Sequence, residues 1–179
     1  MILVINGSPR KDSKTMSITK KIIETTSQEI TILNPYNLNI KSCDDCRYCS
    51  HTKGCIKKDD MDNLYQLLQE CTTLIISSPV YFGAFTDQTM KLINRFQRYF
   101  GEKWIIKSDK TPVIKNLIAV SSAASINPKM FHGPSVTIDI LSKLFSVEYS
   151  FTVFVSDSDN TPLLNEETLA KINKLKKVI

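Results

Sequence analysis

Four of the five cysteines crowd into one short stretch, Cys43-x2-Cys46-x2-Cys49-x5-Cys55. The thiolate is both a redox nucleophile and a soft metal ligand, and the tight early spacing lets three sulfurs of one loop reach three irons of a 4Fe-4S cube. Four thiolates also suit zinc, although structural zinc sites more often set two Cys-x2-4-Cys pairs far apart. A redox disulfide and reduced thiols that bind nothing stay open as well. Between positions 43 and 58, Arg47, Lys53, Lys57 and Lys58 outnumber Asp44 and Asp45, a positive surplus that suits an anionic group. Cys71 stands apart and reads as a small buried hydrophobe at a strand start.

Two further runs carry chemistry. The first, Asn6-Gly7-Ser8-Pro9-Arg10-Lys11-Asp12-Ser13-Lys14-Thr15, leaves an apolar run and enters a helix that Asp12 or Ser13 could cap. Unpaired backbone N–H groups and the positive end of a helix dipole make such a place a phosphate site. Ser8, Ser13 and Thr15 add hydroxyl donors there, and Arg10 and Lys14 add charge-assisted ones. The second, Ser77-Ser78-Pro79-Val80-Tyr81-Phe82-Gly83-Ala84, sets two aromatics beside a glycine. That combination offers a flat apolar surface and a close backbone approach to a planar ring, with main-chain groups of Val80 to Gly83 free to meet ring heteroatoms.

The elements that must hold these runs alternate. Met1 to Ile5, Ile30 to Leu33, Thr73 to Ser77, Val113 to Ser121 and Val147 to Val155 read as short buried strands. Helices are expected from the Ser13 cap to about Ser27, from Asp59 or Asp60 onward with Met61, Leu64, Tyr65 and Leu68 on one face, and from about Thr86 with Leu92, Ile93, Phe96, Tyr99 and Phe100 inward. Two more are expected near Ser135 to Phe145 and from about Asn165 to Lys177. Five strand–helix units imply an α/β, flavodoxin-like three-layer sandwich: a five-stranded parallel sheet in the order 2-1-3-4-5 with helices on both faces. In such sheets ligands bind beyond the carboxyl ends of the strands where the order reverses, which is where the two runs fall; a phosphate at one and a planar ring at the other describe FMN.

Composition sets the outer limits. At 179 residues and 42% hydrophobic content the chain reads as a single domain over 1–179, with a cysteine-rich insertion at about 36–58. The apolar runs are far below the roughly 20 residues of a membrane span, and no basic leader or cleavage site precedes Asn6, so a soluble cytoplasmic protein with no membrane partner is expected. The net charge of +5 fits an anionic cofactor, while the lysines near the C-terminus read as a solvated helix end and not a nucleic-acid patch. Neither G-x-G-x-x-G nor G-x-x-x-x-G-K-[ST] can be written with the glycines at 7, 54, 83, 101 and 133, which argues against a dinucleotide-fold dehydrogenase or a P-loop NTPase.

On Ile5-Asn6-Gly7-Ser8-Pro9-Arg10, the run Cys43 to Asp60, and Ser78-Pro79-Val80-Tyr81-Phe82-Gly83 followed by Lys91-Leu92-Ile93-Asn94-Arg95, the sequence resembles the flavodoxin-like NAD(P)H-dependent FMN reductases, and within them the iron-sulfur flavoproteins. The resemblance implies FMN held by the first and third loops, a nicotinamide co-substrate, NADH or NADPH, that delivers hydride, and a homodimer or higher homo-oligomer that helps to form the site. It also implies Cys55 as the fourth ligand of a 4Fe-4S cluster beside Cys43, Cys46 and Cys49. Two departures stand out: Asn94-Arg95 where the family usually shows Asp-Arg, and Ser121-Ser122-Ala123-Ala124-Ser125 where a Gly-rich turn is usual.

The expected activity is therefore an FMN-dependent oxidoreductase taking electrons from NAD(P)H to a small-molecule or protein acceptor, flavin and quinone among them, with no catalytic side chain required because the flavin carries the reaction. The expected cofactor residues are Ser8, Arg10, Ser13, Lys14, Thr15, Pro79, Val80, Tyr81, Phe82, Gly83 and Ser121. A cluster is expected on the same carboxyl edge as the flavin, where it would split a hydride pair into single electrons. The rival readings are a non-enzymatic iron-sulfur electron carrier reduced by ferredoxin and a binding module with a zinc-bound cysteine loop. His51, His132, Tyr99 and Trp104 read as loop, turn and core residues.

Overall fold

The computed structural model describes residues 1–108 and 110–179. The run Ile2-Leu3-Val4-Ile5 is apolar at every position because the strand it forms, β1 (Ile2–Asn6), is buried on both faces. Parallel neighbours flank it: β2 (Ile30–Leu33) on one side and β3 (Thr73–Ser77) on the other. A two-residue hairpin, β4 (Val80–Tyr81) with β5 (Ala84–Phe85), follows β3 outside the sheet. Then β6 (Asn116–Ser122) pairs with β3, and β7 (Tyr149–Val155) closes the edge. The main sheet runs β2-β1-β3-β6-β7, all parallel, so the expected order of the five sheet strands holds once the hairpin is left out of the count.

Alternation along each strand divides the core in two. Ile2, Val4, Ile75, Ile118 and Val120 face one layer, made by α1 (Lys14–Ile23) and α6 (Glu166–Leu175) through Ile18, Ile22, Ile172 and Leu175. Leu3, Ile5, Leu74, Ile76 and Leu117 face the other, made by α2 (Met61–Glu70), α3 (Asp87–Asn94), a short α4 (Gln97–Phe100) and α5 (His132–Leu144). Each fully buried Leu or Ile contributes about 1.5–3 kcal/mol, so these two layers fix where the strand ends, and with them the loops, must lie.

The structure corrects several boundaries. Helix α1 stops at Ile23, short of Ser27; its continuation would run through Thr25 and Thr26, β-branched residues with little helical rotamer freedom. The fourth sheet strand begins at Asn116 and leaves Val113 exposed, because Ile114 N–H still bonds the Phe145 carbonyl beyond α5 and Asn116 N–H is the first to turn to the β3 side, at the Thr72 carbonyl. The last strand begins at Tyr149, since Val147 N–H still closes the end of α5 on Ser142. The helix expected to run unbroken to Phe100 turns at Arg95 and Phe96, whose N–H groups bond three residues back, and ends in a π-helical turn over Gly101–Ile105. The tightening at Arg95 and Phe96 shifts the helical phase, so that Phe100 is exposed while Tyr99 stays fully buried in the core.

Candidate functional site

At the carboxyl ends of β1, β3 and β6 the loops enclose a pocket of about 290 Å³. Its base is the N-terminus of α1. Ser13 caps the helix, its Oγ accepting from Met16 N at 3.2 Å and hydrogen-bonding Thr15 Oγ1 at 2.9 Å, and both side chains are buried. The first N–H groups of the helix have no acceptor within it, so the positive end of α1 opens into the pocket. Ser8 is buried beside it and accepts the Arg10 N–H at 3.2 Å, which folds the loop back over the helix end. Ser8, Arg10, Ser13, Lys14 and Thr15 all line this pocket, as do Pro79, Val80 and Tyr81 from the other loop.

The two loops are held together by a knot of small residues. Gly7 N–H donates to Ser77 O at 2.7 Å, and Thr86 Oγ1 donates to Gly7 O at 2.7 Å while hydrogen-bonding Thr89 Oγ1 at 2.9 Å. A Cβ at Gly7 would overlap Thr89 Oγ1 and lie 2.8 Å from Ser78 Cβ, so only glycine lets the first loop settle against the third. The hairpin turns through Phe82 at φ +50° and Gly83 at φ +76°, the pair of positive values that a type I′ turn requires. This throws the Phe82 side chain fully into solvent and leaves Tyr81 partly exposed.

Not every expected residue meets the pocket. Phe82 and Gly83 stand at the hairpin tip and do not line it. Ser121 is buried in the sheet, its Oγ donating to Ser78 O at 2.5 Å; the wall at the end of β6 is made by Ser122, Ala123 and Ala124. Lys14 reaches across to the loop after β7, where Nζ donates to Ser158 O at 2.5 Å and to Asp159 Oδ1 at 2.6 Å. Asp12, which the sequence offers only as a helix cap, also lines the pocket, and Ser158 and Asp159, which no local signal marks, complete the lining. The Lys14 ammonium, followed by the charge of Arg10, holds the Asp159 carboxyl below its usual value. These groups fit an anionic head at the helix end and a flat body against Pro79 to Tyr81.

A second pocket, of about 170 Å³, lies between the loop after β2 and the segment from Arg95 to Ile105, and Cys43, Cys46, Cys49 and Cys55 all line it. Cys43 and Cys46 are exposed, Cys49 and Cys55 half-buried. Burial, and then the thiols of Cys55, Cys43 and Cys46, push the Cys49 thiol up. Two buried charges pin the loop. Arg95 Nη1 donates to Asp59 Oδ2 at 2.6 Å and to Lys41 O at 2.8 Å, and the Glu102 carboxylate accepts from Gly54 N at 2.7 Å and Arg98 Nε at 2.9 Å. Burial opposes the charge of Asp59, yet the bonds from Arg95 and from the N–H groups of Lys41 and Met61 hold its carboxyl below the usual range. Gly101 packs on the Cys49 carbonyl so closely that a Cβ would overlap it.

Among the described residues no three His, Cys, Asp or Glu side chains converge on single-ion geometry. A lone zinc needs sulfurs drawn in to about 2.3 Å from one centre, which the four thiols lining this pocket do not provide. The two pockets share no lining residue. They lie toward opposite ends of α3, which starts just after the hairpin and ends just before Arg95, about 12 Å by helix rise. His51 and His132 are exposed, and Trp104 is half-exposed against Phe100, with ring centroids 4.9 Å apart.

A parallel sheet covered on both faces, with a helix N-terminus opening where its strand order reverses, defines a flavodoxin-like fold. The family described as NADPH-dependent FMN reductase matches residues 1–125, and the chain belongs to it. An iron-sulfur flavoprotein of Archaeoglobus fulgidus is 31% identical over 97 residues, covering 53% of this chain and 50% of that one. Across several such relatives the chain spans only about half of the curated protein it matches. An iron-sulfur flavoprotein of Clostridioides difficile is 26% identical with 93% of this chain and 84% of its own covered. The FMN-dependent NADH-azoreductase of Bacillus anthracis, solved in complex with FMN, superposes with a TM-score of 0.67 over 99% of this chain and 96% of its own at 11% identity, a likeness of fold alone.

Proposed function

We propose that this chain is an FMN-dependent oxidoreductase that takes electrons from NADH or NADPH and passes them to a small-molecule or protein acceptor through a 4Fe-4S cluster on Cys43, Cys46, Cys49 and Cys55. The observation that carries the reading is the pocket at the strand ends, where the capped N-terminus of α1, the Pro79–Tyr81 wall and the end of β6 meet. Membership of the family and the names of its iron-sulfur relatives support it.

Bound FMN would supply two-electron chemistry with the nicotinamide and one-electron chemistry with the cluster. The chain's own part is to bind and orient. Ser8, Ser13, Thr15 and the N–H groups of α1 receive a phosphate, with Arg10 adding charge. Asp159 occupies Lys14 and keeps that ammonium on the loop after β7. Pro79, Val80 and Tyr81 exclude water from one face of the ring site. The buried Arg95–Asp59 and Glu102–Gly54 contacts keep the four thiols around a single pocket.

The partner proposed for self-association is a second copy of the chain. Phe100, Trp104 and Ile140 are exposed around an apolar groove of about 200 Å³ that α3 and α5 border, and exposed apolar surface of this kind marks association sites.

The test is titration with FMN, followed by flavin fluorescence, of the wild-type protein and of Arg10→Ala and Tyr81→Ala. The reading expects saturable uptake by the wild type and at least tenfold weaker binding by each variant. No uptake, or equal affinity in all three, would contradict it.

A further inference from the structure

Among the described residues, Arg95 is the one buried cation in the cysteine pocket whose donors are not all used. Its side chain is 1% exposed. Nη1 is satisfied by Asp59 and Lys41, while Nη2 makes longer contacts, 3.5 Å to Cys55 Sγ and 3.4 Å to Lys57 O. Nε is buried with no acceptor among the described residues. A guanidinium brings five donors in a rigid fork, and a buried donor left without an acceptor is costly, so an orphan of this kind calls for an explanation. The neighbours that reach the same pocket divide by sign: Arg47, Lys57 and Arg98 are cationic, Asp44 and Asp45 anionic, and both carboxylates are already paired, with Lys57 and Arg47.

We propose that Arg95 is the positioning residue of the cysteine site: it holds the Cys55 sulfur by a charge-assisted contact and keeps its orphaned Nε–H for the anionic iron-sulfur group bound among the four thiolates. The inference rests on the cluster reading given above. Asp59 is what aims the guanidinium, since it takes Nη1 and leaves Nη2 toward Cys55. Reduction adds one electron and makes the cluster more negative, and hydrogen bonds and positive charge at its sulfurs favour that form. Arg95 therefore raises the cluster's reduction potential as well as fixing its fourth ligand.

The test uses full-length protein reconstituted without oxygen with iron and sulfide. Arg95→Lys keeps the charge and loses the fork; Arg95→Gln combined with Asp59→Asn removes both buried charges, so neither is stranded. Iron and labile sulfide per chain, and the midpoint of a dithionite titration followed by electron paramagnetic resonance, are compared with the wild type, with circular dichroism as the check on folding. The double variant is expected to favour the reduced cluster at least tenfold less, a fall of about 59 mV for a one-electron couple, with Arg95→Lys between it and the wild type. A folded double variant that loses the cluster, beside an Arg95→Lys protein that holds it at a lowered potential, also supports the role. Midpoints equal to the wild type in every variant that holds a cluster overturn it. A wild type that takes up no iron overturns the cluster reading itself, a result separate from either.

Discussion

Gly7→Ala tests whether the docking of the first loop on the third is what builds the cofactor pocket. The added methyl would overlap Thr89 Oγ1 and come within 2.8 Å of Ser78 Cβ. Thr89 is fully buried on α3 and β-branched, so it has few rotamers to retreat to. Accommodating the methyl costs about 1–3 kcal/mol as overpacking, and displacing the Thr86–Thr89 hydroxyl bond costs about 1 kcal/mol more. A loss of about 2–4 kcal/mol is therefore expected, read as a lowered urea midpoint at unchanged slope. FMN affinity should fall with it, because Ser8 follows Gly7 directly and Thr86 anchors the hairpin. Adding Thr89→Ala to Gly7→Ala removes the main obstacle, so the double variant should lose less than the two singles summed. A Gly7→Ala protein with the wild-type midpoint and wild-type FMN affinity would refute the reasoning.

Ser13→Ala removes the cap of α1 and should cost about 1 kcal/mol in urea unfolding while weakening FMN binding at the same helix end. The folded carboxyl of Asp59 lies below its unfolded value of about 3.9, so its pairing contributes in full above that pH and is lost as pH falls through the folded value. Urea midpoints taken from about pH 6 down to about pH 3 should accordingly fall less steeply for Asp59→Asn than for the wild type, from a lower start, because the variant leaves Arg95 buried without its counter-charge. Burial pushes the Cys71 thiol up to about 11, so iodoacetamide at neutral pH should modify the cluster-free loop cysteines and spare Cys71, as peptide mass spectrometry would report.

Much of this was legible in the residues, and the failures share a cause. The run Ile2 to Ile5, the Ser13 cap and the spacing of Met61, Leu64, Tyr65 and Leu68 are local signals, and each gave its element. The departures depend on contacts between distant segments. Nothing near Lys14 tells that its ammonium pairs with Asp159, and nothing near Arg95 tells that its partner is Asp59. Ser121 stands at the end of the expected fourth strand, but its hydroxyl is drawn into the sheet by Ser78, and the chain passes the pocket one to three residues later. Tyr81 and Phe82 look alike as a pair of aromatics. The two-residue hairpin separates them, and no Asn-Gly or Asp-Gly pair was present to signal it. The four cysteines lie close in sequence and do line one pocket, yet that pocket sits at the far end of α3 from the strand-end site, which residue spacing alone does not reveal.

The measurement that bears most directly on the central claim is the visible spectrum of protein purified without oxygen, recorded before and after mixing with NADPH or NADH. The account predicts flavin bands over a broad iron-sulfur shoulder, both bleaching on addition of a reduced nicotinamide. A colourless protein that takes up no added FMN, or bound flavin that neither nicotinamide reduces, would contradict it.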